Sequence, residues 1–213
     1  MRQWVILILL LVALYSNAQE RELTLWSKNE VSVSPWEEVS LSVAQKIHYT
    51  PERNSVDLKY SEVFIAHELK HWVEYSFGFR HSKLNIKNGN WLDENRPMFN
   101  INLIKNIEKF QFSFSNRLEY RLFKESNDYF RHRQSLKFNF PNITEWGMQF
   151  YVSEESFLKL NGAGTHLARV YTGLKAVDKA HFDINLYYSL QKAKFLNEWL
   201  TSDVVGLNLS FDI

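Results

Sequence analysis

The chain is expected to be all-β, an antiparallel up-and-down transmembrane β-barrel of ten to twelve strands. Three observations point there: apolar and polar residues alternate along most of its length, full charges sit in the middle of the polar runs, and the last strand reaches the final residue. Period-two alternation puts successive side chains on opposite faces of a strand. In Val205, Leu207, Leu209, Phe211 and Ile213 one face is wholly apolar, while Gly206, Asn208, Ser210 and Asp212 share the other. Helical stripes of comparable strength are hard to find.

The N-terminus comes first in the chain and has its own chemistry. Met1-Arg2-Gln3 is a short cationic start, Val5 to Leu14 is an unbroken apolar run, and Ser16-Asn17-Ala18 supplies small residues of the kind signal peptidase cleaves after. Such a run is about half the length that a membrane-spanning helix requires. Residues 1–18 are therefore expected to be a signal peptide and residues 19–213 a single outer-membrane barrel domain. Losing Arg2 balances the cations and carboxylates, since the full chain carries 25 Lys+Arg against 24 Asp+Glu.

Alternating segments follow near residues 22–34, 38–49, 55–67, 71–81, 96–107, 110–122, 129–140, 144–153, 166–176, 181–191 and 203–213. Tight turns are expected at Ser34-Pro35, Asn106 to Lys109, Pro141-Asn142 and Asp178-Lys179, and longer extracellular loops at 82–95, 154–165 and 191–203. Gly162-Ala163-Gly164 reads as a flexible loop tip. These segments make eleven, whereas a single-chain bacterial barrel with both termini in the periplasm has an even number. The expectation is thus ten, with 22–34 outside the wall, or twelve, with one strand more; twelve is preferred.

Alternation alone does not say which face is inside. An outer-membrane barrel turns its apolar face to lipid and keeps a polar interior. Phe110, Phe112, Phe114, Val205, Leu207, Leu209 and Phe211 are assigned to the lipid face. The interior is assigned a ladder of charge: Arg117, Glu119, Arg121, Arg131, Arg133 and Lys137. If 110–122 and 129–140 form a hairpin around residue 126, Arg121 faces Arg131, Glu119 faces Arg133, and Arg117 faces Ser135. A mean hydropathy of −0.34 is compatible, because only every second residue would meet lipid.

Four short stretches carry a family resemblance: Glu94-Asn95-Arg96-Pro97, Asn116-Arg117-Leu118-Glu119-Tyr120-Arg121, Arg131-His132-Arg133, and His166 to Leu174. Together they resemble the DUF2490 family of Gram-negative outer-membrane barrels. The resemblance implies a barrel in the outer membrane and brings no reaction with it.

Candidate chemistry is sparse. Cysteine is absent, which excludes disulfides, thiolate metal sites and Cys nucleophiles. His67-Glu68-Leu69-Lys70-His71 fits the H-E-x-x-H pattern, in which a helix puts both His on one face to hold zinc and the Glu activates water. That makes a zinc metallopeptidase one alternative, with His67 and His71 as ligands. Against it, Val63, Ile65 and His67 alternate on one side, Val73, Tyr75, Phe77 and Phe79 on the other, and Phe77 stands where a third His would be needed. An outer-membrane acyl hydrolase is the second alternative, with His81-Ser82, or Ser156 with His166, as partners. The principal reading assigns no catalytic residue, metal or cofactor. It expects a porin-like or structural barrel whose partners are outer-membrane lipid, the assembly machinery and small solutes; a balanced charge gives no reason to expect nucleic acid.

Overall fold

The structure is a computed structural model, and it describes residues 21–87, 89–162, 164–179, 181–195 and 198–213. The expected signal peptide, residues 1–18, lies outside the described residues. Among the described residues, eleven strands form one closed barrel. In chain order they are β1 (Glu22–Trp36), β2 (Val39–Thr50), β3 (Ser55–Lys70), β4 (Val73–Lys87), β5 (Asn90–Ile107) and β6 (Phe110–Phe123). Then come β7 (Tyr129–Asn139), β8 (Gln149–Lys159), β9 (Gly164–Lys179), β10 (Phe182–Phe195) and β11 (Glu198–Asp212). A single turn of 3-10 helix, Pro51–Arg53, links β2 to β3.

The expectation of an even wall is corrected. Each strand pairs antiparallel with its sequence neighbours, and the barrel closes where β1 pairs parallel with β11, from Glu22 opposite Ser202 to Ser32 opposite Asp212. The even-number rule follows from requiring every pair to be antiparallel. A parallel ladder also satisfies backbone donors and acceptors, so an odd wall closes with one such seam and leaves no edge. As a result β1 starts at one rim and β11 ends at the other. The turns after β2, β4, β6, β8 and β10 form the first rim, where β1 begins; those after β1, β3, β5, β7 and β9 form the second.

Two further expectations change. The long loops at 82–95, 154–165 and 191–203 are mostly strand: β4 and β5 are joined near Gly89, and β5 begins at Asn90. Alternation fails to mark these stretches because polar residues such as His81, Lys83, Asp93 and Asn95 occupy the outer face there, yet the ladder continues through them. The hairpin of β6 and β7 is in register two residues from the expected one, with Glu119 opposite Arg131, Arg117 opposite Arg133 and Ser115 opposite Ser135. A slip of two keeps every side chain on its face, whereas a slip of one would exchange the faces.

Close packing inside the wall depends on small residues opposite large ones. Gly206 lies opposite Tyr187, Gly173 opposite Tyr151, and Gly78 opposite Phe64. In each pair the ring occupies the space that a Cβ on the glycine would need. Trp26, Tyr151, Tyr187 and Val204 form the buried apolar cluster, with Tyr171 against it.

Candidate functional site: the charged interior

Inward positions follow from parity. On β6 the odd residues Arg117, Glu119 and Arg121 turn inward, as do Arg131, Arg133 and Lys137 on β7, and the ladder continues onto strands where sequence reasoning placed loops. Glu94 and Glu119 are both 0% exposed. Arg121 donates to both oxygens of Glu94, through Nε at 2.6 Å and a terminal nitrogen at 2.8 Å, while Arg96 donates to Oε1 at 2.7 Å. Arg131 holds Glu119 at 2.5 Å, and Arg96 reaches the same carboxylate at 3.6 Å. Tyr129 adds its hydroxyl to Arg121. A continuous chain of ion pairs, Arg121–Glu94–Arg96–Glu119–Arg131, therefore ties β5, β6 and β7 together toward the first rim.

Two smaller groups complete the network. Glu62 binds Arg80 at 2.5 Å and Lys28 at 3.4 Å, which links β3 to β4 and β1. Glu155 pairs with Arg133, lies 3.6 Å from Arg169, and accepts from the Tyr171 hydroxyl at 2.9 Å. Charges so far from water are costly, and a partner carrying the opposite charge and hydrogen bonds offsets that cost. Removing one partner of a buried pair costs about 3–5 kcal/mol, because the other is left uncompensated. The Glu62 and Glu155 groups line a cavity of about 300 Å³ that lies between the Arg–Glu chain and the second rim.

The outer face has the opposite character. Phe110, Phe112, Phe114, Val205, Leu207, Leu209 and Phe211 all point away from the interior, Phe112 being 38% and Val205 45% exposed. Exposed with them are Val43, Val63, Ile65, Phe77, Phe79 and Leu136. Toward the second rim outward rings touch one another: Phe112 and Phe138 at 4.8 Å, Phe182 and Phe211 at 4.9 Å. Toward the first rim Tyr120 stacks on Phe130 at 4.5 Å, and Lys59 lies 4.8 Å from the Trp91 ring. Polar side chains do occur outside, and His132 is hydrogen-bonded to Asn116 at 3.2 Å.

The other candidate residues are not brought together. The H-E-x-x-H motif lies at the end of β3 and in the turn after it. His67 stacks on Tyr75 at 5.2 Å and lies 3.7 Å from Glu38, while His71 belongs to the turn. The helix that the zinc reading needs is not there, and among the described residues no group of three or more His, Asp or Glu is placed to hold a metal ion. Ser82 is 1% exposed on the inside while His81 faces out to Asn95, so these neighbours lie on opposite faces. Ser156 faces outward, whereas the His166 ring meets the buried, inward Phe157 edge-on at 6.5 Å. Neither Ser–His pair can share a proton.

Sequence reasoning missed Lys28, Glu62, Arg80, Glu94, Arg96, Glu155 and Arg169 as interior residues. Parity within each strand was the signal that could have found all of them, had 82–95 and 154–165 been read as wall.

An edgeless β-wall with apolar residues outside and ion pairs inside defines a closed β-barrel of inverted polarity. Residues 23–200 match the family model described as a protein of unknown function, DUF2490, and the chain belongs to that family. No curated protein matches the chain.

Proposed function

We propose that this protein is an outer-membrane β-barrel of a Gram-negative envelope whose interior is filled by its own charged side chains, so that its role is structural more than conductive. The observation that carries the reading is the inversion of polarity. A water-soluble protein rarely exposes a contiguous apolar surface of more than a few hundred Å², yet here the large exposed side chains encircle the wall and the carboxylates are buried. Aromatic residues near both rims fit the two membrane interfaces. The second rim, where β11 ends, is read as periplasmic and the first as extracellular.

Barrel diameter grows roughly linearly with strand number, so eleven strands enclose a wider interior than the eight that side chains just fill, and here long Arg, Lys, Glu and Tyr side chains point into it. The Arg–Glu chain lines one side of that space, on β5, β6 and β7, and Lys46 on β2 reaches the Tyr187 hydroxyl on β10. A narrow pore for small solutes is the second reading, favoured by the cavity between the Arg–Glu chain and the second rim. Membrane fractionation and planar-bilayer conductance test the two together. The protein should be recovered with the outer membrane, run faster unheated than boiled on a detergent gel, and give no steady conductance. Discrete channels would move the role to transport, and recovery from the soluble periplasm would end both readings.

A further inference from the structure

We infer that the central cavity is a binding site for a small oxyanion, a carboxylate or phosphate group. The inference rests on the closed, ion-paired interior and does not require the barrel to conduct or to reside in a particular membrane. Six cationic side chains line the cavity, Lys28, Lys46, Arg80, Arg117, Arg133 and Lys137, against two carboxylates, Glu62 and Glu155. Both carboxylates are already committed. Glu62 is held by Arg80 and Lys28, and Glu155 by Arg133 and, from outside the cavity lining, Arg169.

Three cations remain without a counter-charge. Among the described residues, Lys46, Arg117 and Lys137 have no carboxylate oxygen within 4.0 Å; their partners are neutral. Lys46 sits 4.1 Å from the Trp26 ring centre and 3.4 Å from the Tyr187 hydroxyl. Arg117 donates to the side-chain oxygen of Asn100 and lies 5.3 Å from the Phe64 ring. Lys137 lies 4.2 Å from the Tyr151 ring. Aromatic faces moderate the cost of holding a cation away from water without cancelling its charge. Three unneutralised cations around one cavity make a positive field that low-dielectric walls concentrate. A volume of about 300 Å³ admits a small anion with a few waters and excludes a folded segment. Tyr60 and Tyr187 also line the cavity, so hydroxyl groups stand beside the cations for a second set of contacts, while the Tyr151 hydroxyl donates to Asn185 at 3.0 Å.

Trp26 reports on the site directly, because it is buried against Lys46. In a chain whose other tryptophans are replaced by Phe, Trp26 fluorescence is titrated with iodide, caesium and neutral acrylamide, and the iodide titration is repeated in inorganic phosphate. The difference between unheated and boiled gel mobility shows independently that each variant has folded. Iodide should quench on the order of tenfold more strongly than caesium, as local enrichment of anions requires. The quenching should saturate, and phosphate should suppress it. Combined Lys46→Gln, Arg117→Gln and Lys137→Gln substitution should remove the preference while leaving the barrel folded, since no carboxylate loses a partner. If that combined variant does not fold, Lys137→Gln alone should weaken iodide quenching several-fold. Equal quenching by iodide and caesium, no quenching by either, indifference to phosphate, or a preference that survives the substitutions would each overturn the inference.

Discussion

At the scale of single residues, the wall is decided by which side chain faces which solvent. Phe112 and Ser113 are neighbours in β6, the first outward and the second inward. An Arg on a lipid-facing wall costs roughly 2–4 kcal/mol at the midplane and about 0–1 near an interface, so at Phe112, which lies toward the second rim, a cost between these is expected, while an inward position tolerates charge. Phe112→Arg should therefore lower the folded, heat-modifiable fraction far more than Ser113→Arg; the reverse order would mean that the faces are exchanged. Tyr187 and Gly206 make a second residue-scale case. The ring lies where a Cβ would be built, so Gly206→Ala must displace it from the buried cluster around Trp26 and Val204. Overpacking of this kind costs typically about 1–3 kcal/mol. A urea-unfolding midpoint lowered to match is expected, and an unchanged midpoint would show that the ring moves freely. Parity made the inward and outward sets legible from sequence. The pairing of tyrosine with glycine was not legible, because it depends on register between strands far apart in the chain.

Among the elements, the distinctive one is the parallel seam. The segment 22–34 was the one whose place in the wall the sequence left open, and the structure makes it the strand that closes the barrel. No local pattern announces a parallel partner 180 residues away: Leu25 and Val205 alternate in the same way whichever strand they meet. Ser27 and Leu207 lie directly opposite each other across this seam, both outward. The chain contains no cysteine, so a Ser27→Cys, Leu207→Cys double variant has only one disulfide to form. It should oxidise within one chain and shift gel mobility, whereas Ser27→Cys with Phe211→Cys, four residues out of register, should not, since bridging requires Cα atoms within about 7 Å. Cross-linking only between chains would contradict the closed wall. The stretches read as loops failed for a related reason. Beyond the apolar part of the outer face, polar residues occupy both sides of β4 and β5, so strand continues where alternation stops.

For the whole molecule, the central claim is that this barrel carries its charge inside and meets lipid outside. The charge inside and the apolar face outside were visible in the alternation and the mid-strand charges; the ion-pair chain through Glu94 and Arg96 was not, because it joins strands through space. The most direct test places one tryptophan on each side of the wall. The protein is refolded into bilayers whose acyl chains carry bromine, which quenches tryptophan on contact. One variant keeps only Trp26, buried inside. The other has every tryptophan replaced and carries Leu207→Trp on the outer face. The account predicts strong quenching of the Leu207→Trp variant and little of Trp26, whereas equal quenching of both, strong quenching of Trp26 alone, or a chain that folds in water without lipid would contradict it.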